Sequence, residues 1–480
     1  MVVGLGRSQS AELKEADEQT AKQAVNKTDT DTLAKMDVES LWHALIQHKP
    51  FAQKPPKCIA RASGCYIADS NGIEYFDGTA GSWCVNIGHG REEIADVAYK
   101  QMLELDFSTL TMSHEPGIRL AHKLLEMLGY EGKVFFSTSG SEANETAFKI
   151  ARQYQAQTAP AGLGARYKII SRYRSYHGNT LGALSATAQA NRKLKFGPPA
   201  PGFLHVSPPY YYRFGEGRTE AEYNSACLRE LEQTVLYEGA ESVAAIIVEP
   251  VISGGGVIPP TEGYLRGVRE LCDRTGILLI FDEVVNGFGR TGTMFGHQHW
   301  GVEPDIICFA KGLTSGYMPL SATVVKQHIF EAFLDEPGTN SHFRHISTYG
   351  GTPVPTAVAL RNIEIIEREN LPAHAAEMGA YLTERLQDLL SEHPNVGDVR
   401  GKGLLLGIEL VKDKVSKAPL DNDSVAGVVK RCLEQRVIIG RNASTVPGFD
   451  NVLILSPPLV ITYEEADRLA DSLHAAIFAL

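Results

Sequence analysis

The stretch spanning residues 276–318, GILLIFDEVVNGFGRTGTMFGHQHWGVEPDIICFAKGLTSGYM, decides the fold. It holds two short apolar runs, residues 277–281 and 306–310, each partly β-branched or aromatic and bounded by Gly or Pro. Strands buried on both faces of a parallel sheet read this way. Each run ends by delivering a charge, Asp282 after the first and Lys311 after the second. Open α/β sheets bind ligands outside the carboxyl ends of their strands, so both charges fall where chemistry is done. A buried lysine is costly unless it is paired, neutralised or covalently occupied.

Three readings of this pair compete. The first is a structural ion pair or two unrelated loop charges. The second is a nucleotide-hydrolase metal site on Asp282-Glu283, which needs a G-x-x-x-x-G-K-[ST] loop that the chain lacks. The third is a pyridoxal phosphate site, in which the lysine holds the aldehyde as an imine and the carboxylate pairs with the pyridinium nitrogen. That site also needs a phosphate cup and an aromatic cover for the ring.

Composition narrows the setting. At 480 residues the chain is too long for one compact core, and two or more domains are expected. A formal net charge of −11 with no dense Lys/Arg run argues against a nucleic-acid partner. Seven scattered cysteines without a C-x-x-C pair predict neither a metal site nor a disulfide framework, and so a reducing compartment. No apolar stretch approaches about 18 residues, and the N-terminus lacks signal-peptide character. The expectation is a cytoplasmic protein with no membrane partner.

Residues 1–35 are polar, the composition of a disordered arm. In residues 37–51, DVESLWHALIQHKPF, the spacing of Leu41, Trp42, Leu45 and Ile46 predicts a short amphipathic helix. Alternation around Asn71-Gly72 then predicts a hairpin, so residues 36–76 read as a small lobe. From 77 to 345, strand candidates at 133–137, 168–171, 205–206, 244–248, 277–281, 306–309 and 322–325 alternate with helical stretches. That pattern predicts an α/β domain, a mostly parallel sheet sandwiched by helices. Residues 346–480 read as an α+β lobe, with helices at 355–369, 373–392 and from 463.

The pieces of a cofactor site can be picked out. After the strand at 133–137, Thr138-Ser139-Gly140-Ser141 turns into a helix, and free N–H groups at a helix start favour a phosphate. An ordinary serine N-cap reads the same way. After the strand at 168–171 comes Tyr176-His177-Gly178, where an aromatic ring can lie flat on a heteroaromatic one. Glu249 follows the strand at 244–248 and is placed to hold the Asp282 neighbourhood. Val284 is placed to press on the ring opposite Tyr176.

Seven stretches in one order then resemble the class III (omega) aminotransferases of the fold-type I pyridoxal phosphate enzymes. They are SGSEANETAFKIAR, RSYHGNTLGALS, VEPVISGGGVIPP, DEVVNGFGRTG, PDIICFAKGLTSGYMPLSA, STYGG and VRGKGLLLGIEL. GSWCVNIGHG at 81–90 further resembles the subgroup that takes pyruvate as acceptor and omega-amino acids or amines as donors. The resemblance implies a large domain (77–345) and a small α+β domain drawn from both termini (36–76 and 346–480). It makes Lys311 the imine-forming lysine and Asp282 the partner of the ring nitrogen. Gly140 and Ser141 hold the phosphate, Tyr176 stacks on the ring, and Ser139, His177, Glu249 and Val284 complete the cofactor set.

Other implications concern partners and substrate. Thr348 resembles the residue that reaches the phosphate of a neighbouring subunit, which implies a homodimer with shared active sites, or a tetramer built from it. Trp83 forms a wall of the pocket. Arg441 resembles the movable arginine of the pyruvate-using subgroup and is preferred for the substrate carboxylate. Arg400 resembles the carboxylate-binding arginine of ornithine-type relatives; a surface ion pair is the plain reading of either. Thr352, where many relatives carry Asn, and SGYMPLSA depart from the family pattern and bear on pocket lining or dimer contacts. The expected activity is ping-pong amino transfer from beta-alanine, taurine, a diamine or a similar donor to a keto acid, pyruvate first. The alternatives are an aminomutase on the same fold, a 2-oxoglutarate-dependent 4-aminobutyrate or ornithine-type enzyme, and a non-enzymatic cofactor-binding protein.

Overall fold

A computed structural model describes residues 30–109, 111–160, 166–443 and 445–480. The chain divides into a small unit, up to Ala62 together with Ile67–Tyr75, and a large one, Ser63–Tyr66 with Phe76–Leu480. Of the expected polar arm, residues 1–29 lie outside the described residues, and from Thr30 the chain is helical, Thr30–Ser40. The helix expected on Leu41, Trp42, Leu45 and Ile46 does not form. Trp42 is 90% exposed and Leu45 is left-handed at φ 62°. His43 Nε2 lies 2.5 Å from Asp37 Oδ1, and His43 N donates to His48 Nε2 at 3.1 Å. Local side-chain bonds thus take the backbone out of the helical path.

Strands β1 (Ile59–Ser63), β2 (Tyr66–Asp69) and β3 (Glu74–Asp77) lie side by side in that order. The expected turn at Asn71-Gly72 is present. Asp69 Oδ1 accepts from Asn71 N and Ile73 N, both at 3.0 Å, and so shapes it.

In the large unit all seven expected strands form one sheet. They are β4 (Gly132–Ser137), β5 (Lys168–Arg172), β6 (Phe203–Val206), β7 (Val243–Val248), β8 (Leu278–Asp282), β9 (Ile306–Phe309) and β10 (Ser321–Lys326), in the order β4-β10-β9-β8-β7-β5-β6. Strands β5 to β9 run parallel, whereas β10 is antiparallel to both β9 and β4. The link from β9 to β10 carries only a short 3-10 turn, too little for the helical crossover that a parallel neighbour needs.

Burial on both faces explains the unbroken apolar runs. Leu279 and Phe281 pack with Leu265 and Val268 of the helix Tyr264–Thr275. Leu278 and Ile280 pack with Ala147, Phe148 and Ala151 of the helix Gly140–Thr158. A second, antiparallel sheet holds β11 (Val396–Lys402), β12 (Leu405–Leu410), β14 (Gly440–Arg441) and β15 (Val452–Leu455), in the order β11-β12-β15-β14. Between them β13 (Val437–Ile438) pairs in parallel with Phe76 and Asp77 of β3. Among the described residues no helix is long and apolar enough to cross a membrane.

A buried ion cluster anchors the second sheet. Glu409 on β12 is 1% exposed and accepts from Arg400 Nη1 at 2.7 Å, from Arg213 and from the Tyr210 hydroxyl. Burial alone would raise its carboxyl, but the guanidiniums of Arg400 and Arg213 hold it down, from 4.5 to about 2. Glu409→Gln is expected to destabilise the protein by about 3–5 kcal/mol at pH 7, because the largely buried Arg213 loses its counter-charge and Arg400 is left with Asp398 alone. A depressed carboxyl contributes stability that is whole above its unfolded value and lost as pH falls through its folded one. The gap in denaturation midpoint between wild type and variant should therefore narrow as pH drops from 4.5 toward about 2.

Candidate active site

Strands β4, β5, β7, β8 and β9 end on one edge of the sheet, and the residues that follow them make the site. Asp282 closes β8 and is 3% exposed. Its Oδ2 accepts from Asn144 Nδ2 at 2.8 Å and lies 2.8 Å from His177 Nδ1, while Oδ1 accepts from Val284 N at 3.1 Å. Asn144 Nδ2 also donates to His177 O at 2.7 Å. One carboxylate thus ties together the helix after β4, the loop after β5 and the end of β8.

The turn after β4 has the form of an anion cup. Ser139 proves to be the N-cap: its Oγ accepts from Glu142 N at 3.3 Å, and Glu142 Oε2 accepts from Ser139 N at 3.0 Å and Thr138 N at 2.8 Å. The first-turn N–H groups of Gly140 and Ser141 therefore remain without intrahelical partners. The loop after β5 runs close against this turn. Asn179 N donates to Ser141 Oγ at 3.1 Å, and a Cβ on Gly178, whose φ is +138°, would stand 2.4 Å from that oxygen. Val284 packs on the cup itself, its methyls 3.0 Å from where a Gly140 Cβ would be.

Tyr176 is half-buried, and its N–H donates to Glu249 Oε1 at 3.0 Å. Ser253 N donates to the other carboxyl oxygen at 2.9 Å. Glu249 thus fixes the backbone that carries Tyr176, with no hydrogen bond to Asp282. Burial pushes the Glu249 carboxyl up and the Tyr176 hydroxyl up. One face of the Tyr176 ring carries the guanidinium of Arg192, 4.8 Å from the ring centroid. Arg192 was no part of the expected site, because nothing in ANRK distinguishes it from a solvent-facing cation.

Lys311 opens the turn after β9, half-buried and left-handed at φ 39°. Among the described residues its ammonium has no hydrogen-bond or ion-pair partner, and it lies 5.6 Å from the centroid of Trp83. Trp83 ends a left-handed turn, with φ of 45° at Ala80, 55° at Gly81, 72° at Ser82 and 64° at Trp83. Each non-glycine residue there costs roughly 1–2 kcal/mol. Asp77 holds the turn, accepting from Thr79 N at 3.1 Å, Thr79 Oγ1 at 2.8 Å and Gly81 N at 2.8 Å, with His89 Nε2 at 3.0 Å. Only Gly81 hinted at it in the sequence.

The two arginines expected at the substrate differ. Arg400 uses every N–H it has, on Val257 O, Gly256 O, Asp398, Glu409 and Tyr210 Oη, at 2.6–2.9 Å. Among the described residues Arg441 is tethered through Nη1 alone, to Asn422 Oδ1 at 2.9 Å and Asn422 O at 3.4 Å. Thr348 is exposed, in a loop that His114 Nε2 ties down at Gly351 O, 2.7 Å away.

The family model "Aminotransferase class-III" matches residues 49–477. An uncharacterized aminotransferase of Bacillus subtilis is 51% identical over 433 residues, which are 90% of this chain and 94% of that protein. The taurine–pyruvate aminotransferase of Bilophila wadsworthia is 41% identical over 450 residues, 93% of this chain and 97% of that one. The crystal structure of a Bacillus anthracis aminotransferase, 49% identical, superposes with a TM-score of 0.91 over 95% of this chain and 100% of its own.

Asp282→Asn is expected to keep the fold and to lower turnover about 10²–10³-fold, since a neutral amide cannot stabilise the charge developing on the ring. Gly178→Ala is expected to weaken cofactor binding, read by titrating the apoprotein and following cofactor absorbance.

Proposed function

The chain belongs to the class III aminotransferases, pyridoxal phosphate enzymes, and from that premise we propose that it carries an amino group from an omega-amino acid or amine to a keto acid, pyruvate ahead of 2-oxoglutarate. The observation that carries this is a lysine with no hydrogen-bond or ion-pair partner among the described residues and a carboxylate held by Asn144, His177 and Val284 N at neighbouring strand ends, Asp282 standing beside Cys308 in the β8–β9 register. Identity of 41% to a taurine–pyruvate aminotransferase supports the donor and acceptor classes. So does Arg441, whose single tether leaves most of its donors for a carboxylate.

The bound cofactor supplies an electron-poor ring that takes up the electron pair left when the donor carbon gives up its proton. The chain does the rest. Gly140 and Ser141 hold the phosphate through backbone N–H groups. Asp282, which accepts from Asn144 and lies against His177, would face the ring nitrogen and hold its proton. Tyr176 and Val284 flank the ring. Lys311 Nζ would take the proton from the donor carbon and deliver it, as a positioned acid, to a different carbon, that of the cofactor's aldehyde group, so one residue would serve both halves of the exchange. Thr348 completes the phosphate site of a second copy, and the working unit is a cytoplasmic homodimer.

A donor-by-acceptor panel tests this. Double-reciprocal plots should be parallel, as an enzyme alternating between two half-reactions requires, with pyruvate the better acceptor. Intersecting lines, or turnover of a donor with no keto acid present, would contradict it.

A further inference from the structure

Several arginines of this chain have a carboxylate partner, as Arg400 has Glu409, Arg91 has Glu369 and Arg269 has Asp305, and others, such as Arg290, spend their N–H groups on carbonyls and an amide. Arg192 has no carboxylate partner among the described residues. Its Nε donates to the neutral Gln189 Oε1 at 2.8 Å, and its guanidinium rests 4.8 Å from the Tyr176 centroid. Among the described residues its two Nη groups have no hydrogen-bond or ion-pair partner. Gln189 is itself fully buried and fixed, donating from Nε2 to Arg174 O at 2.8 Å. The guanidinium is therefore positioned without being neutralised. A fork held in this way suits a bidentate oxyanion.

Its place also fits. Tyr176 immediately precedes His177, which bonds Asp282. Gln189 and the Trp83 ring approach the same point, 4.0 and 3.9 Å from where a Gly254 Cβ would stand, and Trp83 faces Lys311. Arg192 is thus linked through Gln189 to the point that the Trp83 ring approaches, and Trp83 in turn faces Lys311. In a chain of net charge −11, an anionic substrate needs such a local cation.

We infer that Arg192 anchors the acid group at the far end of an omega-amino acid donor, a sulfonate or a carboxylate, while Arg441 serves the keto acid. The assignment rests on the transaminase reading above and names the donor class for the same site.

The test compares wild-type holoenzyme with Arg192→Gln and Arg192→Lys, using taurine, beta-alanine and propylamine at saturating acceptor. The quantity read is the ratio of kcat/KM for each acid-bearing donor to that for propylamine. Arg192→Gln should lower the ratio on the order of 10- to 100-fold, the value of hydrogen bonds to a charged group. Arg192→Lys, which keeps the charge and loses the fork, should lower it less. A larger fall with taurine assigns the site to sulfonates, and one with beta-alanine to carboxylates. An unchanged ratio overturns the assignment. So does an equal fall for all three donors, which is what mere support of Tyr176 would give. If Arg192→Gln does not fold, the Arg192→Lys ratio decides. A wild-type holoenzyme inert toward every donor overturns the transaminase reading itself, whereas an active one with an unchanged ratio overturns only the role of Arg192.

Discussion

The architecture turns on one buried negative charge. Asp282 sits at the end of a strand whose residues are all buried, where an ionised carboxylate is tolerable only if its oxygens are satisfied. Asn144, His177 and the Val284 N–H satisfy them, and these groups come from three separate segments of the chain. The helix after β4 must therefore start where it does, and the loop after β5 must pass beneath it. Gly178 permits that close passage, and the phosphate cup follows from the same constraint.

Specificity is a matter of how each cation is spent. Arg400 is consumed by the cluster with Glu409, Asp398 and Tyr210, so its work is to brace β11 and β12. Among the described residues Arg441 is held by one asparagine, Asn422. Arg192 is held by a neutral glutamine and a ring. The resemblance preferred Arg441 to Arg400 for the substrate carboxylate. The hydrogen-bond saturation of Arg400 points the same way.

Much of this was legible in the sequence. Strands buried on both faces, such as β7, β8 and β9, leave unbroken apolar runs with sharp edges and were found that way, whereas the remaining four were found by their alternation with helical stretches. The charges at their ends were legible for the same reason, since Asp282 and Lys311 interrupt runs that otherwise exclude charge. The antiparallel sense of β10 was not, because direction depends on the length of a connection rather than on composition. The helix expected around Trp42 failed because local bonds among Asp37, His43 and His48 outweighed a short apolar spacing. The left-handed turn before Trp83 and the perch of Arg192 on Tyr176 depend on contacts distant in sequence, which no local pattern encodes.

The central claim is that Lys311 carries the cofactor. Borohydride reduction of the holoenzyme followed by peptide mass mapping tests it most directly. The account predicts a pyridoxyl group on the peptide containing Lys311 and on no other. A label on a different lysine, or none on Lys311, would contradict it.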